Sequence, residues 1–219
     1  MELRKFIATT IREYLNENVN NYTKLTDLAK QHDYETFLKK TDSLTSIYNI
    51  LYRGMYDKEL TDKSFFTDYI GHATQYGDYT DGIIYNNNND VLYIDDNTFN
   101  NLRKNFEDIS KKELNDIYSY YFKNHKLFDA MDGEYSDEIS VIKFVSNFLK
   151  SNIPYTKVQQ HKVKNDLLIP IMMYYAQIKG KNIIQFVGGD YSDYGGADEF
   201  VVNDVSRYNK LSDIWKSVN

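Results

Sequence analysis

The chain has 219 residues, 42% of them hydrophobic and 26% charged, which is enough apolar material for a packed core and excludes wholesale disorder. The absence of cysteine excludes a disulfide framework, a thiolate nucleophile and a Cys-ligated zinc or iron–sulfur site, and a net charge of −6 argues against a general nucleic-acid coat. No apolar run reaches the roughly 18 residues of a membrane span, and charge interrupts residues 1–18 too early for a signal peptide, so no membrane partner is expected.

Phe6, Ile7, Ile11, Tyr14 and Leu15 recur at helical spacing and predict a helix over 3–17, followed by a polar break over 18–21. A second helical pattern runs from 34 to about 50 through Phe37, Leu38, Leu44, Ile47 and Tyr48. The apolar stretch Ile50-Leu51-Tyr52 then ends in Arg53-Gly54, a strand end or tight turn. Ser64-Phe65-Phe66 reads as a strand, with Thr67 and Asp68 capping a short helix over 68–76 that Gly77 closes. Residues 82–85 and 91–94 are β-prone, and the polar stretch 86–90 between them predicts an antiparallel hairpin.

Helical periodicity returns over 98–106, 110–124, 137–150 and 163–178, with Pro170 predicting a kink or a start in the last. Tyr118, Tyr120, Tyr121 and Phe122, like Tyr174 and Tyr175, read as core. After Gly180, strands over 183–187 and 199–202 flank a glycine-rich loop over 188–196, and a short helix over 211–215 follows. Strands on either side of a helical middle give an α+β class.

Three segments stand out together: Leu51-Tyr52-Arg53-Gly54, Phe65-Phe66-Thr67-Asp68 and Ala197-Asp198-Glu199-Phe200-Val201-Val202. An arginine after an apolar strand, a hydroxyl after paired aromatics and an acid opening a late strand resemble the Arg–Ser/Thr–Glu pattern of mono-ADP-ribosyltransferases. Ala73-Thr74-Gln75-Tyr76-Gly77 followed by Gly82-Ile83-Ile84 is similar to the helix and strand after the family's second motif, in phage and toxin members. The stretch from Gly188 to Gly196 is similar to the turn-turn loop before its catalytic glutamate.

The resemblance implies an ADP-ribosyltransferase-like split β-sandwich over 49–219, with a helical N-terminal extension over 1–48 and a helical insertion over about 105–180. It implies transfer of ADP-ribose from NAD, the co-substrate, to a macromolecular acceptor, a protein rather than a nucleic acid. Glu199, Thr67 and Arg53 are then the catalytic set; Arg53, Gly54, Thr67 and Tyr76 contact NAD; and Tyr191, Tyr194 and Asp198 contact the acceptor. A catalytically inactive module of the same fold, virion-associated or partner-binding, is the alternative.

The chemistry supports these roles on its own terms. Breaking the nicotinamide–ribose bond passes through an oxocarbenium-like transition state, which a carboxylate such as Glu199 stabilises. Arginine recognises phosphate through a planar, permanently charged fork, the role for Arg53. The Thr67 hydroxyl can fix the carboxylate or the ribose in place. The plain readings are a surface ion pair for Arg53, a helix cap for Thr67 and a solvated strand edge for Glu199. Ala197 stands where arginine-modifying members carry the first acid of Glu-x-Glu. An acceptor that needs no such acid, plain NAD hydrolysis and loss of activity are all open.

Asp190, Ser192, Asp198 and Gly195 fall near a calcium-loop register, but Tyr194 occupies a ligand position and Val201 stands where the bidentate glutamate belongs, so no metal is expected. His32, His72, His125 and His161 show no ligand spacing. Lys150, Lys157, Lys162, Lys164, Lys179 and Lys181 read as a solvated helix face, with an acidic ligand as the alternative. The 22 Asn, 21 Tyr and 21 Lys against 5 Arg suit A/T-rich codons and suggest a phage or other viral source, in the host cytoplasm or on the virion.

Overall fold

A computed structural model describes residues 23–45, 47–62, 64–85, 88–124, 138–159, 162–186 and 199–219. The helix expected over 3–17 and the loop over 188–196 lie outside these residues. The described chain is α+β and groups into two compact units, one of residues 23–60, 68–85 and 206–219, the other of 61–67 and 88–205.

In the first unit, β1 (Asn49–Met55) pairs antiparallel with β3 (Tyr79–Tyr85), from Asn49 opposite Tyr85 to Met55 opposite Tyr79. The short β7 (Asn209–Lys210) pairs with β3 on its other edge. Helices α1 (23–31), α2 (Tyr34–Thr41), α3 (Ile70–Ala73) and α9 (Leu211–Lys216) complete the unit. The Asp33 carboxylate caps α2 by accepting from the Thr36 N–H at 2.9 Å, as its place before a helical apolar run dictates. Leu25, Ala29, Phe37 and Leu38 from the helices meet Ile50, Tyr52 and Ile84 from the strands and Leu211 and Ile214 from α9 in one core.

The second unit has strand order β4 (Val91–Ile94), β5 (Ile183–Phe186), β6 (Glu199–Val202), β2 (Ser64–Thr67). β4 and β5 run parallel; the pairs β5–β6 and β6–β2 are antiparallel. A parallel pair needs a long crossover. Helices α4 (Asp96–Asn105), α5 (Lys111–Asn124), α6 (Glu138–Leu149), α7 (Tyr155–Gln159) and α8 (Lys162–Ile178) supply it. Their apolar sides pack with Ile94, Ile184, Phe186 and Val201 in a second core. Ser110 and Glu113 open α5 with reciprocal bonds, the Ser110 N–H to Glu113 Oε2 at 3.0 Å and the Glu113 N–H to Ser110 Oγ at 3.1 Å.

The structure corrects several expectations. The hairpin over 82–94 does not form: β3 pairs with β1 and β7, whereas β4 pairs with β5. A short polar linker permits a hairpin, but partners distant in sequence offer each apolar run more burial. The second helical pattern stops at Thr41, with a tight turn over Asp42–Leu44, and β1 already begins at Asn49. The helix after the second motif is one turn long, and its N-cap position is Tyr69. Thr67 instead closes β2, while Asp42 Oδ1 lies 3.5 Å from the Ile70 N–H at the helix start.

Pro170 lies inside α8, which starts eight residues earlier at Lys162. α1, α7 and β7 are elements the pattern reading does not identify. Tyr118 and Tyr175 are core, but Tyr120 and Tyr174 are exposed, since neighbours one or two positions apart on a helix face different ways. The side chains of Tyr121 and Phe122 lie outside the described set.

Candidate functional site

Glu199 opens β6, an internal strand flanked by β5 and β2. Its register partner on β2 is Thr67, and on β5 it is Phe186. Residues directly opposite on adjacent strands project to the same face, with Cβ atoms about 4.5–5.5 Å apart in an antiparallel pair. Thr67, Glu199 and Phe186 therefore form one row. Val201, two residues along β6, shares that face and belongs to the core under the helices. Glu199 is half-buried at the end of the row, Thr67 is buried on one side of it, and Phe186 is buried on the other. Register sets Glu199 between a hydroxyl residue and an aromatic one, and its half-burial partly shields the carboxylate from water. Glu199 thus opens a strand flanked on both sides, and the N-cap position of α3 is Tyr69 and not Thr67.

Arg53 lies in the other unit, on β1 opposite Asp81 of β3. Burial pushes the Arg53 guanidinium below its usual value, although an arginine keeps its charge. Such a partly desolvated cation gains more from a phosphate than one in open water does. The Asp81 carboxylate accepts from the Tyr34 hydroxyl at 2.7 Å, the Gly82 N–H at 2.7 Å, the Ser212 N–H at 3.1 Å and the Ser212 hydroxyl at 2.6 Å.

Gly54 and Tyr76 do come together. A Cβ on Gly54 would stand 1.9 Å from the Ala73 carbonyl oxygen and 3.2 Å from the Tyr76 Cβ, so only glycine lets α3 and the following turn approach β1 this closely. Tyr76 is also within 2.9 Å of His72 Nε2 through its hydroxyl. Tyr191, Tyr194 and Asp198, with the calcium-like register, lie outside the described residues.

Among the described residues no group of three or more His, Asp or Glu side chains is placed to hold a metal ion, and no helix is long and apolar enough to cross a membrane. Within the lysine-rich stretch, Lys179 Nζ stands 5.2 Å from the Tyr175 ring centroid and Lys181 donates to the Asn89 carbonyl. Both contacts give these lysines structural work. The side chains of Lys162 and Lys164 are outside the described set.

Two polar clusters escape the sequence reading. Three of the four donors on Asp81, from Tyr34 and Ser212, come from positions with no local signal. The His72–Tyr76 pair does carry one, the i, i+4 spacing that puts two side chains on the same side of a helical turn. Compared with protein-family models, with curated proteins and with solved structures, the chain matches none.

Proposed function

We propose that the protein transfers ADP-ribose from NAD to a macromolecular acceptor. The observation that carries this reading is the direct pairing of Thr67 with Glu199 across β2 and β6, on one face and beside Phe186. In this reading Glu199 stabilises the positive charge that develops on the ribose as nicotinamide departs. Thr67 fixes the carboxylate, and the buried Phe186 on the other side keeps the dielectric around it low. The assignment of Arg53 to the dinucleotide phosphate comes from the resemblance and from the chemistry of a desolvated guanidinium.

The deciding experiment compares wild type with Glu199→Gln for nicotinamide release and label transfer from labelled NAD. The substitution keeps shape and hydrogen bonding but removes the charge, and the rate is expected to fall about 100-fold or more, as for loss of a principal electrostatic group. Equal rates in both proteins would remove Glu199 from the chemistry. A binding module is the reading that Ala197 favours; NAD binding without nicotinamide release would establish it.

A further inference from the structure

β1 ends at Met55 opposite Tyr79, the first residue of β3, so the stretches 56–59 and 74–78 lie at the same end of this antiparallel pair. A Cβ on Gly77 would stand 2.2 Å from the Met55 carbonyl oxygen, which seats the second stretch directly against the end of β1. Three tyrosines of this end keep much of their surface in water: Tyr56 is 76% exposed, Tyr76 52% and Tyr79 41%. Large exposed rings gathered at one end of a sheet mark a contact surface.

The surroundings of the rings say what the surface fits. Lys58 holds its Nζ 4.9 Å from the Tyr79 ring centroid, so the face of this ring already accepts an ammonium group. Asp57, Glu59 and Asp78 are exposed on the same stretches, and among the described residues no lysine or arginine pairs with any of them. Three carboxylates against one lysine repel phosphate, which disfavours stacked nucleic-acid bases. They attract guanidinium and ammonium groups, to which phenol faces offer a second attraction. His72 Nε2 lies 2.9 Å from the Tyr76 hydroxyl, so that ring is held before a partner arrives and loses less freedom on binding.

We propose that this end of the β1–β3 pair docks a lysine- and arginine-rich segment of a partner protein, with cations over the Tyr56 and Tyr79 rings and paired with Asp57, Glu59 and Asp78. Lys58 is the built-in competitor, because it occupies the Tyr79 face and repels an incoming cation. The surface lies within one compact unit and does not rest on the NAD reading.

The test titrates the full chain with a fluorescein-labelled octa-arginine peptide and follows anisotropy and backbone amide shifts. In wild type the shifts are expected to centre on 56–59 and 74–79, a map that needs no variant to fold. An exposed cation–π contact is worth about two- to fivefold in affinity, so Tyr56→Ala/Tyr79→Ala should bind about tenfold more weakly at unchanged net charge. Lys58→Ala should bind at least about twofold more tightly than Lys104→Ala, which makes the same change in net charge at an exposed position of α4. Shifts spread over other acidic surfaces, or equal affinity of the double variant and wild type, overturn the docking surface. Equal affinity of the two lysine variants overturns the role of Lys58. Larger shifts at 56–59 and 74–79 with a glucose hexasaccharide or an oligothymidylate than with the peptide overturn the cationic partner in favour of a sugar or a nucleic acid.

Discussion

Four donors from three stretches of chain converge on the Asp81 carboxylate, and each tie has a separate physical consequence. The Tyr34 hydroxyl reaches it at 2.7 Å from the start of α2, while the Tyr34 ring packs edge-on against Trp215 of α9 at 5.7 Å. Removing that hydroxyl takes one donor from a buried charged group, so Tyr34→Phe is expected to cost about 1.5–3 kcal/mol in urea unfolding. Burial, reinforced by the Asp81 charge and hydrogen bond, raises the Tyr34 pKa well above its ordinary value of 10.0. A raised folded-state value means the folded chain keeps a proton that the unfolded chain loses. This contribution is therefore complete below about pH 10 and is lost as pH rises beyond it. The urea midpoint of wild type should fall above about pH 10, and Tyr34→Phe should fall less steeply. Parallel slopes would show that Tyr34 ionises as freely in the folded protein as in the unfolded chain.

Two glycines end or flank helices for different reasons, and substitution separates them. Gly180 has φ +69° and follows α8, with the Gly180 N–H on the Gln177 carbonyl at 2.9 Å and the Lys181 N–H on the Ala176 carbonyl at 2.8 Å. Nothing lies within 4 Å of an added Cβ there, so Gly180→Ala should cost only the left-handed backbone term, about 1 kcal/mol. At Gly54 the obstacle is a backbone carbonyl, which cannot rotate away, so Gly54→Ala must displace α3 and should cost about 3 kcal/mol. Thermal unfolding of the two variants checks the order; a milder loss at Gly54 would mean that α3 moves freely on β1.

The same contrast explains what the sequence reveals at the level of elements. α4, α5, α6 and α8 have helical apolar spacing, and the Ser110–Glu113 box is written locally. The partner of a strand is not written locally. Gly82–Tyr85 is buried at every position and identifies a strand without a neighbour, which is why a hairpin reading of 82–94 is natural and incorrect. The pairing of Thr67 with Glu199 is suggested by motif order, whereas the contacts of Asp81 with positions 34 and 212 span 47 and 131 residues and leave no trace in any window.

Each unit is assembled from separate stretches of chain, so residues far apart in sequence hold one core. In the first unit the final stretch supplies more than a cover. Leu211 and Ile214 are buried in the core, and both Ser212 donors hold Asp81. Trp215 Nε1 donates to the His32 carbonyl at 3.0 Å, and Asn219 Nδ2 to the Ala29 carbonyl at 3.1 Å. Burying two aliphatic side chains is worth about 3–6 kcal/mol, before the polar ties are added. Whole domains are stable by only about 5–15 kcal/mol. A chain ending at Lys210 should therefore lose amide exchange protection throughout β1 and β3, although neither strand is altered. The contrasting variant Leu211→Ala keeps α9 and the Ser212 donors while creating a cavity beside Gly82, and is expected to lose about 2–5 kcal/mol. Retained protection of residues 50–55 and 79–85 in the shortened chain would show that α1, α2 and the strands close their core unaided, and that the ties from Ser212, Trp215 and Asn219 act only on α9 itself.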